Sequence, residues 1–422
     1  MLYVVSFFIS WIGALPGIVT IAIAVLLIID YALLFGKREG LWTERILPER
    51  FSNGDENEVF IRAKSSYSFT LSIEVIDEVP FQFQLRDISF PAILSPGVPK
   101  TISYQLRPVK RGEYDFGQLN IYARSPLGLV IRRYRFGKQQ MVPVYPSYLQ
   151  MRRYQLLAIS NRLSEIGVKK IRRIGHSMEF EQIREYVQGD DIRTLNWKAT
   201  ARRNQMMVNS YTDEKSQQVY CVIDKSRVMK MPFNNLSLLD YAINASLVLS
   251  NVALLKQDKA GLISFAEEIG NFLPASGKAT QMNSILEILY RQKTRYLESD
   301  FEKLYTLVRQ RITQRSLVVL FTNFESLTAL HRQMIYLRKI ARNHLLMVVF
   351  FENTELTERL RQPADDLEEV YTQTIAAKFA YEKKLIVSEL QHYGIISILT
   401  PPEELTVNTV NKYLELKARQ AI

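Results

Sequence analysis

From Leu2 to Phe35 the chain is apolar almost without interruption, with Asp30 as its one acid, no basic residue, and a break at Pro16-Gly17. A helix crosses a bilayer with about 20 apolar residues, so this run is long for one span and short for two. Gly17 to Phe35 is the surest span; Leu2 to Ala14 reads as the first arm of a short hairpin turning at Pro16-Gly17, or as an extension of a single anchor. Between residues 55 and 145 the pattern changes to short runs, several alternating polar and apolar positions as in Phe81-Gln-Phe-Gln-Leu85. These predict strands at Glu58–Ile61, Ser68–Ile76, Phe81–Leu85, Ile102–Leu106, Leu119–Ala123, Leu129–Tyr134 and Met141–Tyr145, separated by turn clusters such as Ser95-Pro-Gly-Val-Pro99 and Arg111-Gly112. A small β-sandwich is the expected result.

Near residue 217 the rhythm changes again. Fully apolar runs at Val219–Ile223, Gly261–Phe265, Leu317–Phe321 and Leu345–Phe351, with a weaker one at Ile395–Leu399, predict buried parallel strands. Helical periodicity lies between them, at Leu236–Leu255, Gln281–Arg291, Phe301–Ile312, Ser326–Arg342 and Asp366–Leu390, and a last helix covers Glu403–Lys417. Strands alternating with helices predict a doubly wound, Rossmann-like α/β domain. The expected organisation is multidomain: an anchor of one helix or a short hairpin over 1–36, a β-sandwich over 50–146, a charged connecting segment over 150–215 and the α/β domain over 216–420.

Composition narrows the classes. Hydrophobic residues make up 47% and charged residues 23% of the 422, which suits folded domains and excludes a disordered chain. The formal net charge of +11 fits a protein lying against an anionic leaflet, and no nucleic-acid-binding motif accompanies it, so lipid is an expected partner and nucleic acid is not. The single cysteine, Cys221, sits in an apolar run, which excludes an intrachain disulfide and favours a reducing compartment. Lys37, Arg38, Arg45 and Arg50 follow the apolar run, and basic flanks stay inside, so the soluble domains are expected in the cytoplasm, tethered to the cytoplasmic membrane. A cleaved signal peptide is disfavoured because neither a basic leader nor a small-residue cleavage site precedes the polar chain.

The charged segment carries the most distinctive phrase, running from Gly175 to Arg202 through Glu179, Phe180, Arg184, Tyr186, Gly189, Asp190, Asp191, Arg193, Trp197, Thr200 and Ala201. With Asp77-Glu-Val-Pro80, Pro108-Val-Lys-Arg-Gly-Glu-Tyr-Asp-Phe-Gly117, Ser125-Pro-Leu-Gly-Leu129 and a strand ending at Asp224, it resembles the bacterial family catalogued as domain of unknown function number 58. The resemblance implies N-terminal transmembrane helices, a β-rich segment, the charged motif and a von Willebrand factor type A-like domain. It also implies partners: a MoxR-type AAA+ ATPase and other type A-domain proteins, in assembly or maturation of another complex. It implies no reaction. On the residues themselves, Asp190 and Asp191 are expected to cap a helix or pair with Arg184, Arg193 and Arg202 rather than to work as acid and base. Trp197 is expected to anchor a core or an interface.

Type A domains that bind a cation use Asp-x-Ser-x-Ser after the first strand, a threonine from a second loop and an aspartate after a later strand. Here Asp224 and Ser226 match the first loop, Val228 replaces its second serine, Thr280 is the candidate threonine, and Asn323 stands where the aspartate belongs. One carboxylate among these four gives little affinity for a hard cation, so magnesium at a degenerate site is the one cofactor left open. A non-enzymatic interaction or scaffold protein is the expected function. The alternative is a metal-dependent enzyme using Asp190, Asp191 or Asp224. Four scattered histidines, His176, His331, His344 and His392, give no ligand spacing, and no nucleophile elbow or complete phosphate loop is present.

Overall fold

The computed structural model describes residues 15–85, 88–137, 139–159, 178–187, 190, 192–213, 216–360, 366–419 and 421. The chain divides into two units, Met1–Tyr145 and Pro146–Ile422.

In the first unit, alternation along the sequence becomes alternation of burial: Asn57–Ser65 and Leu71–Asp77 each bury every second side chain. Asn57–Ser65 pairs antiparallel with Leu41–Ile46 and Pro99–Leu106. Leu71–Asp77 lies between Ser89–Leu94 and Leu119–Arg124, and Ile131–Phe136 completes that four-stranded sheet. A third small sheet joins Phe51–Ser52, Gln140–Tyr145 and Gly112–Phe116. The inward faces of the first two sheets share a core that includes Ile61, Leu71, Val75, Leu94 and Ile121, while the third sheet packs Phe51, Tyr114, Phe116 and Val144 against Val59 and Leu106. The architecture is β-sandwich-like.

One expected strand is absent. Phe81–Phe83 is a single 3-10 turn and Gln84 follows at φ 53°, because Phe83 packs edge-on to Phe51 and Tyr114 while Phe81 faces out; two aromatics one residue apart belong here to a turn. Leu41–Ile46, Ser89–Leu94 and Gly112–Phe116 are strands the sequence did not announce. Pro91 hides the second of these, and the strand is accordingly at a sheet edge, where a missing N–H is tolerated.

The N-terminal helix Leu15–Phe35 is apolar over its length, and Pro16–Phe35 is long and apolar enough to cross a membrane, with a mean hydropathy of 2.7. The first arm of the proposed hairpin falls at 1–14, outside the described residues. The C-terminal end of the helix is built into the sandwich. Leu34 is fully buried in its core, and the Leu34 carbonyl, left without an intrahelical partner, accepts from Tyr67 Oη and Arg132 Nη1, both at 2.5 Å. No basic residue lies in the helix's last turn, and Arg132 supplies that cation from the sheet. Asp30, 0% exposed, accepts from the backbone N–H groups of Leu129 (2.8 Å) and Val130 (2.7 Å) and from Ser125 Oγ.

The second unit is built on a six-stranded sheet in the order Ile269–Ser276, Lys259–Phe265, Gln218–Asp224, Leu317–Phe321, Leu345–Phe351, Ile396–Thr400. Five strands are parallel, as their apolar runs predict, but Ile269–Ser276 returns antiparallel on Lys259–Phe265, so the sheet is mixed rather than wholly parallel. Leu238–Leu255 matches a membrane span in composition, yet 83% of it is buried: it is the core helix of this unit, apolar all round. Ser237 starts it with a reciprocal capping box to Asp240. Helices Phe301–Arg311 and Leu327–Asn343 cover the sheet through Leu304, Val308, Leu330, Met334 and Leu337. The long helix Leu367–His392 buries Ala376, Ile386 and Leu390 but leaves Leu367, Tyr371, Ile375 and Phe379 exposed, so it packs chiefly through its C-terminal half.

Candidate functional site

The central strand Gln218–Asp224 delivers Asp224 to the carboxyl edge of the sheet, where parallel α/β folds place their sites. Asp224 is buried, and both of its oxygens are occupied by the protein itself. Oδ1 accepts from the Ser226 N–H at 2.9 Å and from Ser299 Oγ; Oδ2 accepts from Thr322 Oγ1 at 2.6 Å. Burial pushes the carboxyl above its ordinary value even against these donors. Over it lies a shallow cleft of about 80 Å³, lined among others by Arg227, Glu298, Asn323, Glu325 and Arg332. Pockets that enclose a small-molecule substrate run to roughly 300–1,000 Å³, so this one has room for a side chain.

Asp224, Ser226, Val228 and Asn323 all line the cleft. Thr280 does not. The hairpin explains why: Phe265 pairs with Ile269 at the carboxyl edge, whereas Ala260 pairs with Ser276, so the chain has run back to the amino edge before it reaches Thr280. There Thr280 is exposed and precedes the helix Gln281–Tyr290. That helix carries the chain back, and the hydroxyl that reaches Asp224 from this part of the chain is that of Ser299, beside Asp300, the N-cap of the next helix. Sequence order alone pointed to the wrong hydroxyl because the edge strand, which is only partly buried, has no apolar run to give it away.

Asn323 is held from behind. Lys383 Nζ donates to Asn323 Oδ1 and to the Phe324 carbonyl, each at 2.6 Å, and lies 5.6 Å from the centre of the Phe350 ring. An ammonium only donates, so the side-chain oxygen of Asn323 is committed to it and the amide NH2 is the free end. Lys225, flanking Asp224, is buried instead against the edge hairpin, where a Cβ on Gly270 would meet its Nζ at 2.5 Å. This donor set does not fit a divalent cation: the buried carboxylate is already satisfied, the Asn323 oxygen is taken by a cation, and among the described residues no cluster of three acidic, histidine or cysteine side chains is placed to hold a metal.

Burial lowers the Lys383 amine from 10.5 to about 8. Between those pH values the unfolded chain binds more protons than the folded one, so the penalty of the buried charge is complete below pH 8 and is relieved as pH rises toward 10.5. Wild type should therefore gain up to about 3 kcal/mol relative to Lys383→Met over that interval in denaturant titrations. Parallel pH profiles for the two proteins would contradict this.

The charged motif is elsewhere in the same unit. Glu179, Phe180 and Arg184 lie on the strand Met178–Glu185, which pairs antiparallel with Met207–Asp213 through a bulge between Phe180 and Gln182. Arg184 grips Asp190 with two bonds of 2.8 and 2.7 Å, and Asp190 also accepts from the Val187 N–H at 2.9 Å. These bonds hold the Asp190 carboxyl below its ordinary value, which suits a structural anion and not a proton donor at neutral pH. The Tyr186 N–H reaches the Met206 carbonyl, Arg193 stands in a short 3-10 turn, and Asn196 caps the helix Trp197–Arg203, in which Arg202 is exposed. Gly189 and Asp191 lie outside the described residues. Trp197 is 70% exposed, so it is no core anchor. Among the described residues, none of this motif lines the Asp224 cleft.

Residues 182–360 match the family described as "Protein of unknown function DUF58". The matched stretch contains the charged motif from Gln182 onward, all of its named residues but Gly175, Glu179 and Phe180, and the Asp224 loops. "Uncharacterized protein YeaD" of Bacillus subtilis (strain 168) is 32% identical over 127 residues, which is 30% of this chain and 31% of that protein, so the match spans about a third of the relative's length. Among solved structures, the chain is similar to the conserved hypothetical protein BatB from Bacteroides thetaiotaomicron, at 14% identity over 49% of this chain and 100% of that one, with a TM-score of 0.32. It is also similar to a PapD-like domain of human CEP192, at 11% identity over 25% of this chain and 86% of that one, with a TM-score of 0.21.

Proposed function

We propose that this chain is a non-enzymatic interaction protein of the bacterial cytoplasmic membrane, with a von Willebrand factor type A-like domain that faces the cytoplasm and offers the carboxyl edge of its sheet to a protein partner. The Asp224 cleft carries the reading. It gathers the loops that follow two strands of the sheet, as a type A domain does, but it spends its buried acid on internal hydrogen bonds and turns charged side chains of both signs, Arg227, Glu298, Glu325 and Arg332, outward at its rim. A rim of that kind selects a partner by complementary charge and does no chemistry. Asp190, the other candidate acid, is consumed by Arg184. Leu34 and Asp30, bound into the sandwich, support a retained anchor over a cleaved leader, because cleavage would strip the sheet of both.

The partner class comes from the family resemblance: a MoxR-type AAA+ ATPase, with other type A-domain proteins, in the assembly or maturation of a client complex. The chain in lipid nanodiscs should retain a purified MoxR-type ATPase in an ATP-dependent manner. The double variant Arg227→Glu/Arg332→Glu should lose it. Retention that ignores both ATP and the rim charges, or a measurable turnover of any metabolite by the chain alone, would sink the proposal.

A further inference from the structure

The Asp30 contact fixes how the sandwich meets the bilayer. Asp30 sits five positions before the end of the helix, and the chain that satisfies it, Ser125 to Val130, is a turn of the sandwich lying beside the helix's apolar surface. The bonds to Asp30 hold this turn against the last turns of a helix that is apolar over its length, so a bilayer entered by that helix meets the turn beside it.

The turn is suited to that place. Its tip exposes Leu127 (43%) and Leu129 (48%), and Ile131 (47%) follows at the start of the edge strand. Exposed basic side chains flank it: Arg124 before, Arg133 and Arg135 after, and Lys37 and Arg38 just past the helix end. Leucines at the tip with lysine and arginine behind them match an interface whose interior is apolar and whose headgroups are anionic. Asp30 itself need not face lipid, because the turn shields it and meets its hydrogen bonds.

We propose that the Ser125–Ile131 turn is a second membrane contact, inserting Leu127 and Leu129 into the headgroup boundary of an anionic bilayer beside the N-terminal helix. This rests on the reading of that helix as a membrane anchor. It makes the sandwich a fixed stand on the membrane surface, docked at two points.

The test uses the full-length chain in vesicles of phosphatidylcholine with phosphatidylglycerol, carrying an environment-sensitive fluorophore on Leu127→Cys or, separately, Ile23→Cys. Cys221 is buried, with its thiol pushed up to about 12, so labelling stays on the introduced cysteine, as unlabelled wild type would verify. Lipids spin-labelled near the headgroup should quench the Leu127 probe, and lipids labelled deep in the acyl chain should quench the Ile23 probe. Quenching at Ile23 with none at Leu127, nor at a Leu129→Cys probe, overturns the second contact and leaves the anchor standing. Quenching at neither site overturns the anchor reading and the turn together. A Leu127 probe that is blue-shifted but indifferent to labelled lipid means that protein covers the turn, which also overturns the proposal.

Discussion

Asp77→Ala should cost the sandwich about 3–5 kcal/mol, the scale for breaking a fully buried ion pair on one side. Asp77 and Arg45 have side-chain exposures of 0% and 3%, and their contact of 2.5 Å is joined by Tyr104 Oη on the other carboxylate oxygen and by the Gly117 carbonyl on the other guanidinium nitrogen. Arg45 also lies 4.9 Å above the Phe116 ring. Removing the acid leaves a guanidinium in the core without its counter-charge. Burial pushes the Asp77 carboxyl above its ordinary value despite Arg45 and Tyr104, which means that the ion pair does not fully recover the cost of leaving water. The triple variant Arg45→Met/Asp77→Leu/Tyr104→Phe should accordingly recover most of what Asp77→Ala loses. Hydrogen exchange read on Leu41–Ile46 and Asn57–Ser65 isolates this unit from the other; protection there should fall by roughly two to four orders of magnitude in the single variant, at about 1.4 kcal/mol per decade. A single variant as protected as wild type, or a triple variant no better than the single, would refute the account.

That pair also shows what a sequence conceals. Arg45 counts among the basic residues flanking the span, yet in the fold it is buried and neutralised. A count of basic residues after the apolar run therefore includes a charge that the folded sandwich keeps from any surface. Periodicity made the layers legible: four of the parallel strands are continuous apolar runs because both of their faces are covered, and helices such as Phe301–Arg311 and Leu327–Asn343 keep a 3.6-residue stripe. The edge hairpin strand Ile269–Ser276 carries no such run, since one of its sides is solvated, and the displaced hydroxyl, Thr280 for Ser299, follows from that omission. Lys383 was invisible for a different reason. It reaches Asn323 from 60 positions along the chain, and no local pattern marks a lysine that turns inward. The Asp30 contact spans further still, 99 positions to Leu129, although an acid alone in an apolar run was itself a sign that a partner must exist.

Asp224→Ala should destabilise the α/β unit by about 3–5 kcal/mol, because it strands one buried N–H and two hydroxyls that now share a single carboxylate. Asp224→Asn keeps the shape and one acceptor oxygen, and should cost about 1–2 kcal/mol. The difference between wild type and the asparagine variant carries a pH signature. With the folded carboxyl above its ordinary value of 3.8, the folded state binds the proton more tightly than the unfolded state, so this contribution is complete below pH 3.8 and is lost as pH rises through the folded value. Wild type should therefore gain on Asp224→Asn as the solution is acidified, the reverse of a carboxylate stabilised by a cation. Millimolar magnesium separates the two pictures further. A bound cation would raise the wild-type melting temperature by mass action and leave Asp224→Asn behind; a carboxyl satisfied by Ser226, Ser299 and Thr322 predicts equal, negligible responses in both. An Asp224-dependent rise with magnesium would show that the cleft holds a cation after all and remove the basis for the metal-free cleft proposed above.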